Sequence, residues 1–383
     1  MAEQQKKKIL LYYPPNKSSV AIETLCKAMK EEGHEVLVLT LTEKGDFHAR
    51  LEQDGIACYT TVKKRKPSLR YFLGQARFLA TFCRRHKIDY LWSHLQEANI
   101  IAVLARPFLK ARLVTFRHHG ESAFHAEFGK VMGMQRSKME TFFDKIINWF
   151  SPLIVVPGTE VYYSMEKYEG CNMTKVKLIR YIYDFSGYPQ PDPAVVQSLK
   201  LQYDCQLRLI IVSRMVPIKQ HMPLFRVMKK LSDENYSVKL IVVDDAGPLR
   251  AQLEAFVKDN RLEQVIDMVG YRKNVIDYLA AADMMVHPSF TEASCNVVKE
   301  MALLNHTAAV CREVGDFDDY VEDRKNGFTL NRSSVEADIE KVLRHAYANK
   351  EVLSQMGSEL HASVLRFFSD TKENRSHYLN LLS

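Results

Sequence analysis

Two basic and two acidic side chains have the spacing expected of a site for phosphate and sugar groups. Arg214 and Lys219 stand five residues apart after an apolar run, and Glu292 and Glu300 stand eight residues apart after another. Two cations can contact the phosphates of a nucleoside diphosphate, and they stabilise the negative charge that grows on a leaving phosphate. Carboxylates accept hydrogen bonds from hydroxyl groups. The pattern therefore predicts a nucleotide-sugar site.

Short apolar runs alternate with segments of helical periodicity along the whole chain. Such alternation is typical of α/β domains with parallel, doubly wound sheets, in which ligands bind beyond the carboxyl ends of the strands. Arg214, Asp244, Asp245, Tyr271 and Ser289 each follow a predicted strand, so we expect them to surround one crevice. The predicted strands are residues 8–13, 35–41, 90–93, 113–116, 153–157, 176–181, 207–213, 238–244, 265–270 and 284–288.

A helix is predicted to begin near Ala293. It would place Glu292 at its mouth and Glu300 about two turns along. The free backbone N–H groups of Ser294, Cys295 and Asn296 would then lie at the positive helix end, which suits phosphate or sugar oxygens. The alternative is an ordinary surface helix with two exposed carboxylates.

The length of 383 residues predicts two domains, because single cores stop growing at roughly 250 to 300 residues. The segment 184–193 contains one glycine and three prolines and fits neither helix nor strand periodicity, so it is the predicted linker. We expect a first domain at 1–186, a second at 187–369, and a last helix at 370–383 that packs back on the first domain.

Seven cysteines without a C-x-x-C pair indicate a reducing compartment and not a disulfide framework. The first residues lack an apolar signal region, and no run approaches the roughly 18 apolar residues that a membrane span needs. A cytoplasmic protein, soluble or peripheral at the inner membrane face, is therefore expected.

Positive charge is concentrated in the first half of the chain. Residues 1–184 hold 29 Lys and Arg against 19 Asp and Glu, whereas the remainder holds 24 against 27. Residues 63–87 contain nine cations and no acid, and residues 67–86 have the pattern of a basic amphipathic helix. This helix either packs on a sheet with a solvated cationic face or contacts an anionic lipid or acceptor. No nucleic-acid-binding motif accompanies the charge, so no nucleic-acid partner is expected.

A histidine cluster follows the predicted strand 113–116. Arg117, His118, His119 and His125 are close in sequence, but no cysteine or carboxylate completes a standard metal-ligand spacing. We therefore predict no metal site. A buried histidine that serves packing alone is the competing interpretation.

Several longer motifs resemble the retaining glycosyltransferases of family 4, which have the GT-B fold. They are residues 33–36, 117–119, 211–219, 240–250, 282–302 and 326–328, and the likeness extends over nearly the whole chain. It implies two Rossmann-like domains that face a cleft, the second holding the donor and the first the acceptor. It also implies a nucleoside-diphosphate sugar as substrate, no cofactor, and a glycan or lipid-linked acceptor.

The resemblance assigns roles to individual residues. Glu300 would accept hydrogen bonds from the ribose, Glu292 would lie near the donor sugar, and His118, with His119 as the alternative, would face that sugar. The expected catalytic residues are His118, Arg214, Lys219 and Glu292. The expected donor-binding residues are Arg214, Lys219, Ser294, Cys295, Asn296, Val297 and Glu300. The expected acceptor or membrane side comprises Lys63, Lys64, Arg65, Lys66, Arg117 and His119.

The chain departs from the family pattern at three places. Ser18 and Ser19 stand where the family often has Gly-Gly, and residues 316–319 replace a glycine-rich run near the donor. Residues 303–306 replace the small residue and glycine that the family usually has before the next strand. Retaining sugar transfer in surface polysaccharide, lipopolysaccharide or glycolipid synthesis is the expected function. A sugar-nucleotide epimerase of the same architecture and a non-catalytic binding subunit are the alternatives.

Overall fold

The computed structural model describes residues 6–17, 19–61, 68–120, 137–243 and 247–383. These residues divide into two compact units. The first contains the described residues up to 120, those from 137 to 187, and the C-terminal segment Phe368–Ser383. The second contains the described residues of Tyr188–Phe367.

The first unit is a seven-stranded parallel sheet in the order β3-β2-β1-β4-β5-β6-β7, covered by helices. Its strands are β1 Lys8–Tyr12, β2 Glu35–Thr40, β3 Ala57–Thr60, β4 Tyr90–His94, β5 Arg112–Phe116, β6 Ile154–Val156 and β7 Val176–Leu178. Its helices before residue 187 are α1 Val20–Glu31, α2 Asp46–Gln53, α3 Leu69–Arg85, α4 Leu95–Ala105, α5 Lys138–Phe150 and α6 Thr159–Lys167.

Both faces of this sheet are buried, which explains why its strands are continuous apolar runs. Alternate residues of β1 point to opposite faces. Ile9 and Leu11 join a core with α1 and α2, whereas Leu10 and Tyr12 join a second core with α3 and α4.

The second unit is a six-stranded parallel sheet in the order β10-β9-β8-β11-β12-β13. Its strands are β8 Leu207–Val212, β9 Val238–Val243, β10 Ile266–Met268, β11 Met284–His287, β12 Thr307–Cys311 and β13 Phe328–Leu330. Its helices are α7 Pro193–Gln202, α8 His221–Asp233, α9 Arg250–Asp259, α10 Val275–Ala281, α11 Asn296–Leu303, α12 Phe317–Tyr320, α13 Val335–Ala348 and α14 Val352–Phe368.

The chain ends with a helix that packs in the first unit, α15 Lys372–Leu379. Tyr378 is 1% exposed, lies in the core beside α1, and donates a hydrogen bond from its hydroxyl to the carbonyl oxygen of Arg180. Arg375 forms ion pairs with Glu31, Glu32 and Asp370. Burial and charge together hold this last helix on the first sheet.

The expected fold class, two doubly wound parallel sheets, is confirmed. Each strand expected from the sequence is present within a few residues, whereas β3, β12 and β13 were not predicted. The helix expected near Ala293 begins instead at Asn296. None of the helices among the described residues combines the length and the apolar character needed to cross a bilayer.

Candidate functional site

The second sheet has a topological switch point between β8 and β11. These two strands are neighbours, while β9 continues on one side and β12 on the other. Loops that follow strands on either side of a switch point diverge and leave a crevice at the carboxyl edge of the sheet. Arg214 follows β8 and Ser289 follows β11. Two of the residues that were predicted to surround the crevice therefore lie at this edge of the sheet.

A buried ion pair joins Lys219 to Glu292. The Nζ of Lys219 donates a hydrogen bond to Oε1 of Glu292, and the same oxygen lies 2.7 Å from Nε2 of His287. The two ion-pair side chains are only 13% and 14% exposed, and His287 is buried at the end of β11. The structure thus brings together two predicted site residues and adds a histidine that the sequence analysis did not assign.

The charge state of Glu292 follows from these neighbours. Burial opposes its ionisation, but the hydrogen bonds and charges of His287 and Lys219 lower its pKa to about 2. Burial also disfavours the charged form of His287, yet the contacts with Cys295 and Glu292 raise its pKa above the ordinary value. At neutral pH Glu292 is therefore an ionised acceptor of hydrogen bonds and not a proton donor.

Cys295 extends this cluster. Its Sγ lies 3.5 Å from Nε2 of His287, and ligand atoms of His287, Glu292 and Cys295 all lie within 4.8 Å of one another. Such a set could surround a divalent ion such as zinc. Oε1 of Glu292 already accepts a hydrogen bond from the ammonium of Lys219. Hydrogen bonds among the side chains are therefore sufficient to explain why these three ligand atoms lie close together. The absence of a metal from the reaction stays a prediction.

Close backbone contacts fix the loops that carry these side chains. The N–H of Phe290 donates to the carbonyl oxygen of Ile218 at 2.7 Å, which links the loops after β8 and β11. Gly247 approaches Met215 so closely that a Cβ atom there would lie 2.5 Å from the Met215 carbonyl oxygen. Gly315 has a φ of +57° and lies directly beside Glu292. Side chains at these glycines would force the loops apart.

A second ion pair is fully buried and supports the loop that carries Glu292. Lys299 and Asp316 are each 1% exposed, with Nζ and Oδ2 2.9 Å apart. Lys299 also donates to Oγ of Ser294 at 2.8 Å, and Ser294 donates to the same Asp316 oxygen at 2.5 Å. Ser294 therefore anchors the loop after Glu292 to α11 and to the segment before α12. Its hydroxyl serves this network, although the sequence placed Ser294 among donor-binding residues.

Glu300 lies on the first turns of α11 and is half-buried. Burial raises the pKa of its carboxyl group, and the described residues offer the carboxylate neither a hydrogen bond nor an ion pair. Tyr188 lies near enough for the Glu300 charge to raise the pKa of its phenol further. A partly desolvated carboxylate without a donor is suited to accept hydrogen bonds from a bound ligand.

The late start of α11 corrects the predicted set of free N–H groups. Cys295 is the N-cap, so the first free N–H groups of the helix belong to Asn296, Val297 and Val298. Ser294 and Cys295 precede the helix. Asn296 is exposed and Val297 is partly exposed, so both predicted residues remain at the helix mouth.

Two other predicted landmarks of this crevice stand apart from the ion pair. Arg214 is exposed, and the described residues give its side chain no ion-pair partner. Tyr271 is 65% exposed and lies within the loop between β10 and α10. Asp244 and Asp245 lie outside the described residues. Of the two predicted phosphate-binding cations, the structure therefore connects only Lys219 to Glu292.

The first sheet has its own switch point between β1 and β4, with a histidine pair nearby. His94 ends β4 and His118 follows β5, and their ring centroids are 5.5 Å apart. The Nδ1 of His118 shares a hydrogen bond with the hydroxyl of Tyr181. Burial, with the charges of His119 and Arg117, lowers the pKa of His118 to about 3, so its ring is neutral. His94 was not predicted.

His94 and His118 both have ring nitrogens that are available to a ligand. Nε2 of His118 and both ring nitrogens of His94 are shielded from solvent and have no hydrogen-bond partner among the described residues. Buried polar atoms in native proteins are nearly always satisfied, so atoms of this kind call for a water or a ligand. His118 follows β5 at the carboxyl edge of its sheet, and its contact with the donor sugar stays a prediction.

The expectation for Arg117 is corrected by the structure. Arg117 is 4% exposed, pairs with Asp144 at 3.0 Å and Glu169 at 3.1 Å, and donates to Asn148 at 2.8 Å. A guanidinium with these partners ties β5 to α5 and α6 and is not presented to an acceptor or membrane. His119 is exposed. Ser18, Lys63, Lys64, Arg65, Lys66 and His125 lie outside the described residues.

Acid sensitivity is expected from the buried histidines. Burial, with the charges of His287 and Lys219, lowers the pKa of His221 to about 4. A lowered folded-state pKa means that the unfolded chain binds protons first, so stability is complete above pH ~6.5 and falls as pH drops towards ~4. We expect the free energy of unfolding to fall by about 1.4 kcal/mol per pH unit for each such histidine. Denaturant melts of the parent and of His221→Gln measure this slope, and an equal slope in both would contradict the assignment.

Both units match models of glycosyltransferase families. The model of the glycosyl transferases group 1 family matches residues 201–359, and the model of Glycosyltransferase Family 4 matches residues 18–184. Together these two matches extend over both units.

Two curated relatives named as glycosyltransferases and one solved structure are similar to this chain, all at low sequence identity. The N-acetylgalactosamine-N,N'-diacetylbacillosaminyl-diphospho-undecaprenol 4-alpha-N-acetylgalactosaminyltransferase of Campylobacter jejuni is 24% identical over 70% of this chain and 72% of its own. WcaL of Salmonella typhimurium, whose name provisionally assigns it as a colanic acid biosynthesis glycosyltransferase, is 21% identical over 96% of each chain. The structure of Anabaena Alr3699/HepE in complex with UDP and glucose superposes with a TM-score of 0.80 at 19% identity, over 98% of this chain and 99% of that one.

Proposed function

The chain belongs to the family 4 and group 1 type of glycosyltransferases with the GT-B fold, and we propose that it moves a sugar from a nucleoside-diphosphate sugar to an acceptor hydroxyl with retention of anomeric configuration. The acceptor is a glycan or a lipid-linked saccharide in the synthesis of a surface polysaccharide, lipopolysaccharide or glycolipid. The Campylobacter relative acts, by its name, on a diphospho-undecaprenol-linked sugar, which supports an acceptor of this class.

The single observation that carries the proposal is that the two carboxyl groups after β11 have different environments. Glu292 is ionised and bound to Lys219 and His287, whereas Glu300 is partly desolvated and has no donor among the described residues. A ribose offers two neighbouring hydroxyl groups, which would satisfy the Glu300 carboxylate. The family assigns Glu300 that role, and the burial of its carboxylate supports it.

Lys219 and Arg214 would hold the diphosphate. Negative charge grows on the β-phosphate as the glycosidic bond breaks, and a preorganised ammonium lowers the barrier without reorganising at the moment of reaction. Glu292 holds the Lys219 ammonium in place before the donor arrives. Because the guanidinium of Arg214 is exposed, it can move towards the diphosphate when the donor binds.

The proposed reaction is a front-face substitution. The acceptor oxygen attacks the anomeric carbon from the side that the phosphate leaves, the C–O bond to the β-phosphate breaks, and the leaving phosphate takes the acceptor proton. No carboxylate acts as a nucleophile in this scheme, and no metal is required. His118, neutral because of its burial, would donate a hydrogen bond to the donor sugar.

An epimerase and a silent binding subunit remain the competing functions. An epimerase would need an acid and a base with pKa values near neutral around the sugar ring. The pKa of Glu292 is lowered to about 2 and that of His118 to about 3, so both are weak bases and neither carries an acidic proton at neutral pH. A silent subunit would bind donor and give no product. The three functions differ in what happens to the donor, and product analysis separates them.

Donor affinity should depend on the carboxylate of Glu300. Glu300→Gln keeps the shape but loses charge-assisted hydrogen bonds worth about 1.5 to 3 kcal/mol, so a nucleoside diphosphate should bind roughly 10 to 100 times more weakly. Calorimetry or thermal shift over a panel of nucleoside diphosphates and their sugars measures this and also identifies the base.

The matched control for this variant is Glu263→Gln, which changes an exposed carboxylate of the same unit. It should bind the panel as the parent does. Equal affinity in the parent and in Glu300→Gln would remove Glu300 from the donor site.

A further inference from the structure

A basic cavity of about 480 Å³ opens at the amino edge of the first sheet. It lies between the C-terminal end of α3, the starts of β4 and β5, and the loop after α4. Five cations and a single acid are among its lining residues, and these are Lys7, Arg84, Lys87, Lys110, Arg112 and Asp89. A concave surface with this charge selects an anion, because its walls focus the field of the cations.

Most of this positive charge is available to a ligand. Arg84, Lys87 and Lys110 are exposed, and no described residue forms an ion pair with them. Asp89 directs one carboxylate oxygen to the backbone N–H of Lys8 at 2.8 Å. Its single negative charge is outnumbered by the five cations of the lining.

Arg112 lines the cavity and is held in place by its neighbours. Its guanidinium lies 5.9 Å from the ring centroid of Tyr90 and donates to the main-chain oxygen of Ser383 at 2.6 Å. Tyr90 in turn donates its hydroxyl to the main-chain oxygen of Leu382 at 2.8 Å. A preoriented guanidinium of this kind suits a phosphate, which it can contact through two N–H groups.

Exposed aromatic side chains stand beside the cavity. Phe108 lines it and is 64% exposed, and Trp149 and Phe150 at the end of α5 are 69% and 54% exposed. Arg106 connects these groups, because it precedes Phe108 by two residues and donates to the carbonyl oxygen of Phe150 at 2.8 Å. Large aromatic rings left in solvent beside cations are typical of side chains that enter the interfacial layer of a membrane.

The outer face of α5 continues this pattern. Lys138, Phe142, Lys145 and Trp149 are all exposed and follow one another at intervals of four, three and four residues. They therefore share one helix face, on which cations and aromatic rings alternate. Such a face suits contact with an anionic membrane surface, where cations meet lipid phosphates and aromatic rings enter the headgroup layer.

We propose that the cavity binds the phosphate of an anionic lipid headgroup while Phe108, Trp149 and Phe150 enter the surrounding bilayer interface. The cavity is separate from the proposed reaction site. His94 is the last residue of β4 and His118 follows β5, whereas the cavity lies at the starts of these strands, and a five-residue strand spans about 16 Å. The lipid site would thus hold the first unit at a membrane without occupying the acceptor region, and it does not depend on the proposed sugar transfer.

Vesicle sedimentation tests the proposal on the full-length protein. The parent should bind vesicles of equimolar phosphatidylcholine and phosphatidylglycerol at ~0.15 M salt, and it should not bind phosphatidylcholine alone. Since each basic residue near such a surface changes partitioning roughly fivefold, the triple variant Arg84→Gln, Lys87→Gln, Lys110→Gln should bind at least tenfold more weakly. Its melting temperature should match that of the parent, because all three side chains are exposed.

A charge-matched control separates the cavity from net charge. Lys258→Gln, Arg261→Gln and Lys273→Gln together remove three exposed cations from the second unit, and this variant should bind vesicles within twofold of the parent. Equal losses in both triple variants would overturn the cavity. A parent that ignores anionic vesicles would overturn the proposal entirely.

Two further arms identify the source of the phosphate and the role of the rings. If glycerol phosphate stabilises the parent but not the cavity variant while vesicles do not bind, the ligand is a soluble phosphate and the lipid assignment is wrong. Trp149→Ser with Phe150→Ser should weaken binding most at roughly 0.5 M salt, where charge attraction is screened. Unchanged binding there would exclude the aromatic contact.

Discussion

Replacing Lys219 with alanine should lower the turnover of sugar transfer by about 100-fold or more. The ammonium of Lys219 is nearly buried, is held by Glu292, and lies near the switch point of the second sheet. Its charge would stabilise the leaving diphosphate chiefly in the transition state, so the loss should fall on kcat more than on KM. Steady-state kinetics with a saturating donor measures both constants.

Two companion variants sharpen this prediction. Arg214→Ala should also lower turnover if the exposed guanidinium joins Lys219 on the diphosphate. Lys258→Ala removes an exposed cation elsewhere in the same unit and should leave kcat unchanged. Turnover within a few-fold of the parent in both Lys219→Ala and Arg214→Ala would reject the proposed phosphate clamp.

Replacing Lys299 with methionine should lower the free energy of unfolding by about 3 to 5 kcal/mol. The change leaves Asp316 with a buried, uncompensated charge, since both partners are 1% exposed. It also removes the donor to Ser294, so the loop after Glu292 loses its support. Urea denaturation measures the loss of stability.

The double variant Lys299→Met with Asp316→Leu is the matched control, because replacing both partners of a buried pair by apolar residues is often nearly neutral. It should recover most of the stability. If Lys299→Met alone lowers the free energy of unfolding by less than about 1 kcal/mol, the ion pair does not stabilise the loop after Glu292.

The sequence predicted the sheets well because their signal is local. Runs such as β1 and β9 are apolar on both faces, as strands covered by helices on both sides must be. The strands β12 and β13 were missed because they are short and carry small or mixed residues, so their apolar signal is weak. The amphipathic pattern of residues 67–86 does not resolve burial residue by residue. Leu69 and Leu73 of α3 are exposed, while Gln75 is buried and accepts a hydrogen bond from the hydroxyl of Thr61.

The site was predicted only where its residues follow strands or match a motif. Lys219, Glu292 and Glu300 were found in this way, but the pairing of Lys299 with Asp316 joins positions 17 residues apart and leaves no local pattern. Arg117 was placed on an exposed side because its partners, Asp144 and Glu169, lie far along the chain. His287 directly follows an apolar run, and that position was the signal by which it could have been assigned.

The most direct test of the proposed function is the fate of the donor. The parent is incubated with nucleoside-diphosphate sugars and a lipid-linked or glycan acceptor, and NMR follows the anomeric proton while chromatography follows the nucleotide. We predict release of the nucleoside diphosphate together with a new glycosidic bond whose anomeric configuration equals that of the donor, and loss of both signals in Lys219→Ala. An inverted product, an epimerised donor without nucleotide release, or bound donor without turnover would each contradict retaining sugar transfer by this chain.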